Sequence, residues 1–493
     1  MSTSNRLKNQ HLLWRAGFGP MANNAAALEG LSVKNIWKNL LNDSAKKPLT
    51  INVATILFKS PEDNLLMMGN PVSHTQEQKK AQQKQSREDL KQLNFCWMEE
   101  MVSSEAQFRE KISLFWHGHF ACRSMNIIYQ QQLLDIIRNN AFGNFADLLK
   151  QVSKSAAMLQ FLNNQQNKKE HPNENFAREV MELFTLGRGN YTETDVKEAA
   201  RSFTGWGFDE EGIFTMRQNQ HDTGTKTFLG KTGNFDGDDI LNILLEQQQT
   251  ARFITKKIIY FFVNENFDAH KSDLLAKQFY QSSYDIEKLM ETIFTSHWFY
   301  EDNNIGTKIK SPVELLVGLR RLLPLQLQNQ DAQLSFQRAL GQVLFNPPNV
   351  AGWPGGKNWI DSSTLMLRLR IPQIITANEV VYINQKSDDD VMMGRMSDAD
   401  KSGKVNEENK LHKANKMGSA KAAGAIVDWA AVATIFENVA RGKLLNKIGE
   451  SVLQTRQPIE AKLLLKYLDD SSRENFIKTA VVSLMCTPEY QLC

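Results

Sequence analysis

The chain has 493 residues, 41% hydrophobic and 23% charged, which is too long for one compact core and ordinary enough to be globular throughout. Its 58 basic and 55 acidic residues leave a formal charge of +3, so binding to nucleic acid or a membrane surface driven by overall charge is excluded, while a local patch is not. No apolar run approaches the roughly 18 residues that span a bilayer.

The first twenty residues, MSTSNRLKNQHLLWRAGFGP, hold neither the apolar stretch nor the small-residue cleavage site of a signal peptide. A cytoplasmic location is therefore expected, with export only if the start is misassigned. The four cysteines form no CxxC pair, and Cys486 and Cys493 would stand about 10 Å apart on a continuing helix, too far for a disulfide. Free thiols are expected.

Proline is scarce, at 13 residues, and apolar residues recur at three- and four-residue spacing, so the fold class expected is mainly α. Helices are expected over 104–116, 127–139, 145–163, 175–186, 192–203, 238–262 and 312–323. Ser311, Pro312 and Glu314 read as a start signal with a capping box. Residues 205–232 turn rich in Gly, Thr and Phe, and 208–214 suggest a small β-hairpin inside a glycine-rich insertion. The Gln and Lys run at 71–88 reads as a solvated helix or a linker. The organisation expected is a main helical domain over 1–385, a flexible charged insertion over 386–424, and C-terminal helices over 425–493 packing on the same body.

Three short motifs fail on inspection. Gly230-Lys231-Thr232 lacks the glycine spacing of a phosphate loop, Asp222-Thr223-Gly224 has no second copy to make an aspartic protease, and Asn234, Asp236 and Asp238 lack the sixth-position glycine of an EF-hand.

Four constellations carry chemistry. On the 175–186 helix, Asn175, Glu179 and Glu182 share one face at 100° per residue, opposite Phe176, Val180 and Phe184. Glu174, Arg178 and Glu182 can pair in series, leaving Glu179 without a local cation. A solvated face explains this stripe, but Leu186 lies within it, which points to contact with the rest of the protein; an unpaired Glu179 then needs a metal, a donor or a raised pKa. Gly187 reads as a left-handed helix cap, and Thr192 with Asp195 as the next capping box.

His117 and His119 flank Gly118. They converge as metal ligands or acid–base partners only if the helix ends at Gly118; otherwise they point about 160° apart, as a core and a surface histidine. His221 and Asp222, with Lys226, read either as an oriented imidazole or as a turn with an Asx-type hydrogen bond. The loop NPPNVAGWPGGKNW, with Asn349, Trp353 and Trp359, can build an aromatic platform with amide donors, or dock its tryptophans on the core.

At these residues the sequence resembles a bacterial family known as domain of unknown function 1800. The resemblance runs from HLLWRAGFG at residue 11 through FWHGHF, NENFAREVMELFTLGRGNYTETDV, the 221–226 segment and Lys310 with SPVE to NPPNVAGWPGG. It implies a mainly helical fold and a bacterial source, and no activity. It also implies a partner: members are often encoded beside a second uncharacterised family, numbered 1501, that looks like the alkaline phosphatase and sulfatase superfamily. That hints at phosphorylated or sulfated material, by fold-level analogy.

Two functions are therefore expected. The first is an enzyme-like site in which Glu179, His119, His221 and Asp222 act as acid–base groups, Asn175, Arg178 and Lys226 bind, and a divalent metal ion is held by His117, His119, Glu179 and Glu182 for metal-assisted hydrolysis or group transfer. The second is a binding or assembly protein that uses the Trp353 to Trp359 loop.

Overall fold

Helix starts follow side-chain caps written into the sequence. In a computed structural model describing residues 4–21, 30–54, 76–377, 380–381, 421–422, 424–455 and 464–493, Ser4 caps α1 (Asn5–Ala16) and Ser32 caps α2 (Val33–Ala45), each accepting a backbone N–H two positions inside the helix. From Gln76 on, the Gln and Lys run is helix, the first part of α3 (Gln76–Ser103). Residues 71–75 of that run, and 386–420 and 423 of the expected insertion, lie outside the described residues.

The long central run is cut more often than periodicity suggests. It comprises α4 (Gln107–His119), α5 (Ile127–Asn139), α6 (Phe145–Lys154), α7 (Ala156–Phe161), α8 (Glu174–Glu179) and α9 (Glu193–Ser202). The expected 145–163 helix breaks at Ser155, which turns extended (φ −68°, ψ 140°) so that its hydroxyl can cap α7. The expected 238–262 helix breaks likewise at Gln247, into α10 (Gly237–Glu246) and α11 (Gln248–Phe262).

Between α9 and α10 lie two hairpins, β1 (Trp206–Phe208) with β2 (Phe214–Met216) and β3 (Lys226–Phe228) with β4 (Lys231–Gly233). The first is the hairpin expected from 208–214. In the second, Leu229 (φ 46°) and Gly230 (φ 79°) form a two-residue turn with both residues left-handed, so the rejected phosphate-loop motif is turn chemistry. The rejected EF-hand residues resolve as well: Asp236 and Asp239 close a capping box on α10.

The chain continues through α12 (Ala269–Gln281), α13 (Ile286–Thr295) and α14 (Pro312–Leu322), the last carrying the expected Ser311–Glu314 capping box. After β5 (Leu325–Leu327) come α15 (Gln330–Leu340) and α16 (Ser362–Ala377), then β6 (Val380–Val381), β7 (Lys421–Ala422), β8 (Ala425–Val427), α17 (Trp429–Ile435), α18 (Leu444–Val452) and α19 (Arg473–Met485). Strand β8 pairs antiparallel with β5, and β6 with β7. The fold is mainly α with small two-stranded sheets, as expected.

Apolar burial is organised in two clusters. One gathers side chains of α1, α2 and α4 to α13; the other joins α3, α14, α15 and α16 to α17, α18 and α19. Helix α4 runs between them and is buried nearly all round, sending Ile112 and Phe115 into the first cluster and Leu114 into the second. His117 and His119 are carried on this helix. No helix among the described residues is long and apolar enough to cross a membrane.

Candidate functional site

Helix α4 runs through Gly118 to His119, so the condition for convergence of its two histidines is not met. His117 turns into the second cluster, where its Nε2 accepts the Phe345 N–H at 3.1 Å and its ring meets Trp97, Phe345 and Trp353. That bond holds Phe345 in a left-handed conformation (φ 64°), and burial pushes the His117 pKa down to about 3. The surface position expected for a divergent His117 is thus wrong: it is 2% exposed. His119 turns into the first cluster among Phe120, Phe145 and Phe184. Among the described residues no group of three or more His, Cys, Asp or Glu side chains is placed to hold a metal ion, so His117, His119, Glu179 and Glu182 do not assemble as a donor set.

The acidic helix departs from an ideal wheel. Helix α8 passes at Val180 into a π-helical turn, Val180–Thr185, in which the Leu186 N–H donates to the Met181 carbonyl five residues back. The extra residue per turn shifts every angle computed at 100°. Arg178 pairs with Glu174 (3.1 Å) and with Glu193 of α9 (2.7 Å), whereas Glu182 accepts from the Tyr191 hydroxyl at 2.6 Å. The expected Glu174–Arg178–Glu182 series is therefore broken. Glu179 is half-buried, and burial followed by the neighbouring Glu182 raises its pKa against the opposing pull of Arg178. Asn175 donates to the Leu162 carbonyl at 3.1 Å and fastens the preceding loop. Gly187 takes its left-handed cap (φ 79°), and the Thr192–Asp195 box is present.

The third constellation closes on itself. His221 is buried with Nδ1 2.9 Å from the Thr204 carbonyl. Asp222 is bound by Arg201 (2.7 Å), which with the Gly224 N–H holds its carboxyl below the usual range, and the Gly224 bond makes the Asx turn. Lys226 donates to the carbonyls of Asp222 and Phe235, and burial lowers its pKa. These groups staple the glycine-rich insertion onto α9.

The Pro/Gly loop forms one wall of a cleft of about 1390 Å³ along the seam between the two apolar clusters. Trp353 and Trp359 both line it. Trp353 lies against His117 at 5.3 Å between ring centroids, and Trp359 is buried. Exposed Asn349 lies outside the cleft lining, and its Oδ1 accepts the Ala351 N–H, shaping the turn. Two glycines allow the loop to lie so close. A Cβ on Gly352 (φ 83°) would run into the Gly118 carbonyl, and one on Gly355 would stand 2.7 Å from the Tyr260 ring.

The wall that adjoins this loop is α11, with Phe253, Lys256, Lys257 and Tyr260. Lys257, which motif reading overlooked, points Nζ at His119 Nδ1 (3.2 Å) and donates to the Leu183 carbonyl (3.1 Å). His119 Nε2 lies 3.3 Å from the Phe184 carbonyl. A carbonyl only accepts, so Nε2 carries the proton and Nδ1 presents its lone pair to Lys257. Both carbonyls belong to the π turn. Burial lowers the Lys257 pKa to about 8; burial and then the Lys257 charge hold His119 far below its ordinary value. The available signal was helical spacing: Phe253, Ile254, Ile258 and Phe261 surround Lys257 on α11, an apolar setting for a lysine.

Other cleft charges differ in pairing. Lys308 and Lys111 share Glu314 at 2.8 and 2.5 Å, and Arg252 stands 3.8 Å from Asp273. Arg188, Lys256 and Lys357 are exposed and make no side-chain hydrogen bond or ion pair among the described residues. Behind the cleft floor, Lys310 Nζ is held 3.7 Å above the Trp14 ring and donates to the Tyr490 carbonyl, which ties three distant stretches of sequence together.

Fold and site together define a mainly helical protein with a broad cleft between two apolar clusters. A family model described as a protein of unknown function, DUF1800, matches residues 11–492, and the chain belongs to that family. No curated protein and no solved structure matches the chain at a significant level.

Proposed function

We propose that the cleft is the functional site and that it binds an anionic ligand with ring faces, such as a phosphorylated or sulfated saccharide. The observation that carries this reading is that Arg188, Lys256 and Lys357, cations without carboxylate partners among the described residues, line the same cleft as Tyr260, Trp353 and Trp359. Aromatic faces take the apolar side of a sugar ring, and unpaired cations take the charge. The volume exceeds that of common small-molecule pockets, leaving room for more than one ring. This reading unites the stacking loop with group transfer at the cleft wall, where Lys257 and His119 meet. A partner of the alkaline-phosphatase-like kind that the family resemblance implies would fit such a ligand, by analogy alone.

A divalent-ion site needs His117, His119, Glu179 and Glu182 to converge, and among the described residues they do not form a donor group. The test is titration calorimetry with sulfated and phosphorylated oligosaccharides and their unsubstituted counterparts. The charged ligands should bind at least about tenfold more tightly, with affinity falling as salt rises. Equal affinities would contradict an anionic ligand.

A further inference from the structure

Lys257 is set apart from the other cleft cations. Lys256, one residue earlier on α11, is exposed, whereas Lys257 is drawn into the wall, its Nζ lying 4.8 Å from the Phe253 ring centroid and touching His119 and Leu183. No carboxylate neutralises it among the described residues. An ammonium meant only to hold an anion gains from exposure and full protonation; an amine meant to react gains from desolvation and from a neighbouring acceptor for its proton. The His119 ring supplies that acceptor, because its Nε2–H is committed to the Phe184 carbonyl and its Nδ1 lone pair faces Nζ.

We infer that Lys257 is the nucleophile of the cleft, and that its Nζ condenses with an aldehyde or ketone group of the bound anionic ligand to form an imine. The inference rests on the proposed ligand class for the anionic part of the substrate and on the Lys257–His119 geometry for the chemistry. The Nζ lone pair attacks the carbonyl carbon, and the carbonyl π pair moves onto oxygen. One N–H proton passes to that oxygen through the hydrogen bond to His119 Nδ1, in one motion and without a lasting imidazolium, giving a carbinolamine. The hydroxyl then leaves with the second N–H proton as water while the C=N bond forms. One amine and one carbonyl become one imine and one water, with no change of oxidation state. With the amine pKa lowered by burial to about 8, roughly a tenth of it is unprotonated at pH 7, so the attacking form is present without an external base.

The test uses the full chain with glyoxylate, an anionic aldehyde, and with neutral propionaldehyde, each in the presence of cyanoborohydride, which reduces an imine to a stable secondary amine. Peptide mass mapping then reads the alkylation rate at each lysine. Glyoxylate should label Lys257 at least about tenfold faster than Lys256, its exposed neighbour and internal control. Labelling of Lys257 no faster than Lys256 would overturn the inference, while the calorimetric test would still judge ligand binding alone. Equal selectivity with both aldehydes would support the nucleophile and count against the anionic-ligand reading. Lys257→Arg keeps the charge and should abolish labelling at that position. His119→Asn should slow labelling of Lys257 while leaving Lys256 unchanged, and an unchanged Lys257 rate would overturn the proton-transfer role of His119.

Discussion

Lys257 and His119 stand 138 positions apart in the chain, yet Nζ lies 3.2 Å from Nδ1 at the wall of the cleft. Two carbonyls of one π turn hold them there, Leu183 for the lysine and Phe184 for the histidine. A regular α-helical turn would rotate those carbonyls away from their present directions, and π turns often mark functional positions for this reason.

The depressed Lys257 pKa has a stability signature. Its folded value, about 8, lies below the ordinary 10.5, so between those two pH values the unfolded chain binds more protons and stability rises with pH. The difference in unfolding free energy between wild type and Lys257→Met should shift toward wild type across that window by roughly 3 kcal/mol. Paired urea titrations at pH 7.5 and 10.5 would measure the shift; a constant difference would mean that Lys257 titrates normally.

Gly187 joins the π turn to this lysine. Its φ is 79°, and a Cβ would stand 2.8 Å from the Phe253 ring, over which Lys257 sits. Gly187→Ala should therefore cost at least about 1–2 kcal/mol by chemical denaturation and should also alter the reactivity of Lys257. A stability change under about 0.5 kcal/mol would show that the site yields easily.

Much of the architecture was legible because it is local chemistry. Ser311 with Glu314, Thr192 with Asp195, and Gly187 as a left-handed cap are readable from residue type and spacing alone. The candidate site was less legible. The wheel drawn through Glu174, Arg178 and Glu182 assumed a uniform helix, and the π turn at Val180 undid it. His117 and His119 depended on whether Gly118 ended the helix, and buried packing on both sides kept the helix going. Lys257 belongs to no motif of histidines and carboxylates, and what sets it apart is its long-range contact with His119 of α4.

Glu314 is the acid on which the buried charges near the cleft floor depend. It accepts from Lys111 and Lys308, and although burial by itself would raise its pKa, the two ammonium groups hold it well below the usual carboxylate range. Glu314→Gln leaves those lysines without their countercharge and should cost about 3–5 kcal/mol. A carboxylate with a depressed folded pKa contributes stability that is present above pH 4.5 and lost as pH falls through the folded value, so the variant should also show a weaker acid dependence. Denaturation at pH 7 and pH 3.5 checks both; an unchanged acid dependence would assign acid sensitivity elsewhere.

His117 is expected to be structural. Its Nε2 accepts the N–H of strained Phe345, so His117→Phe should destabilise the protein by about 1–3 kcal/mol through one buried unsatisfied donor. His117→Gln, which retains an acceptor, should recover part of that loss. Thermal unfolding of the two variants separates this role from ligand binding, since neither should change affinity in a folded sample beyond about twofold.

The most direct test of the cleft as the functional site is a calorimetric comparison of three proteins with one sulfated or phosphorylated oligosaccharide bound by wild type. Lys256→Ala with Lys357→Ala should weaken binding at least about tenfold, whereas Glu179→Gln with His221→Gln should leave it within about twofold. The opposite pattern, with affinity lost in the Glu179 and His221 variant and kept in the lysine variant, would contradict the cleft and return the function to the acidic helix and the glycine-rich insertion.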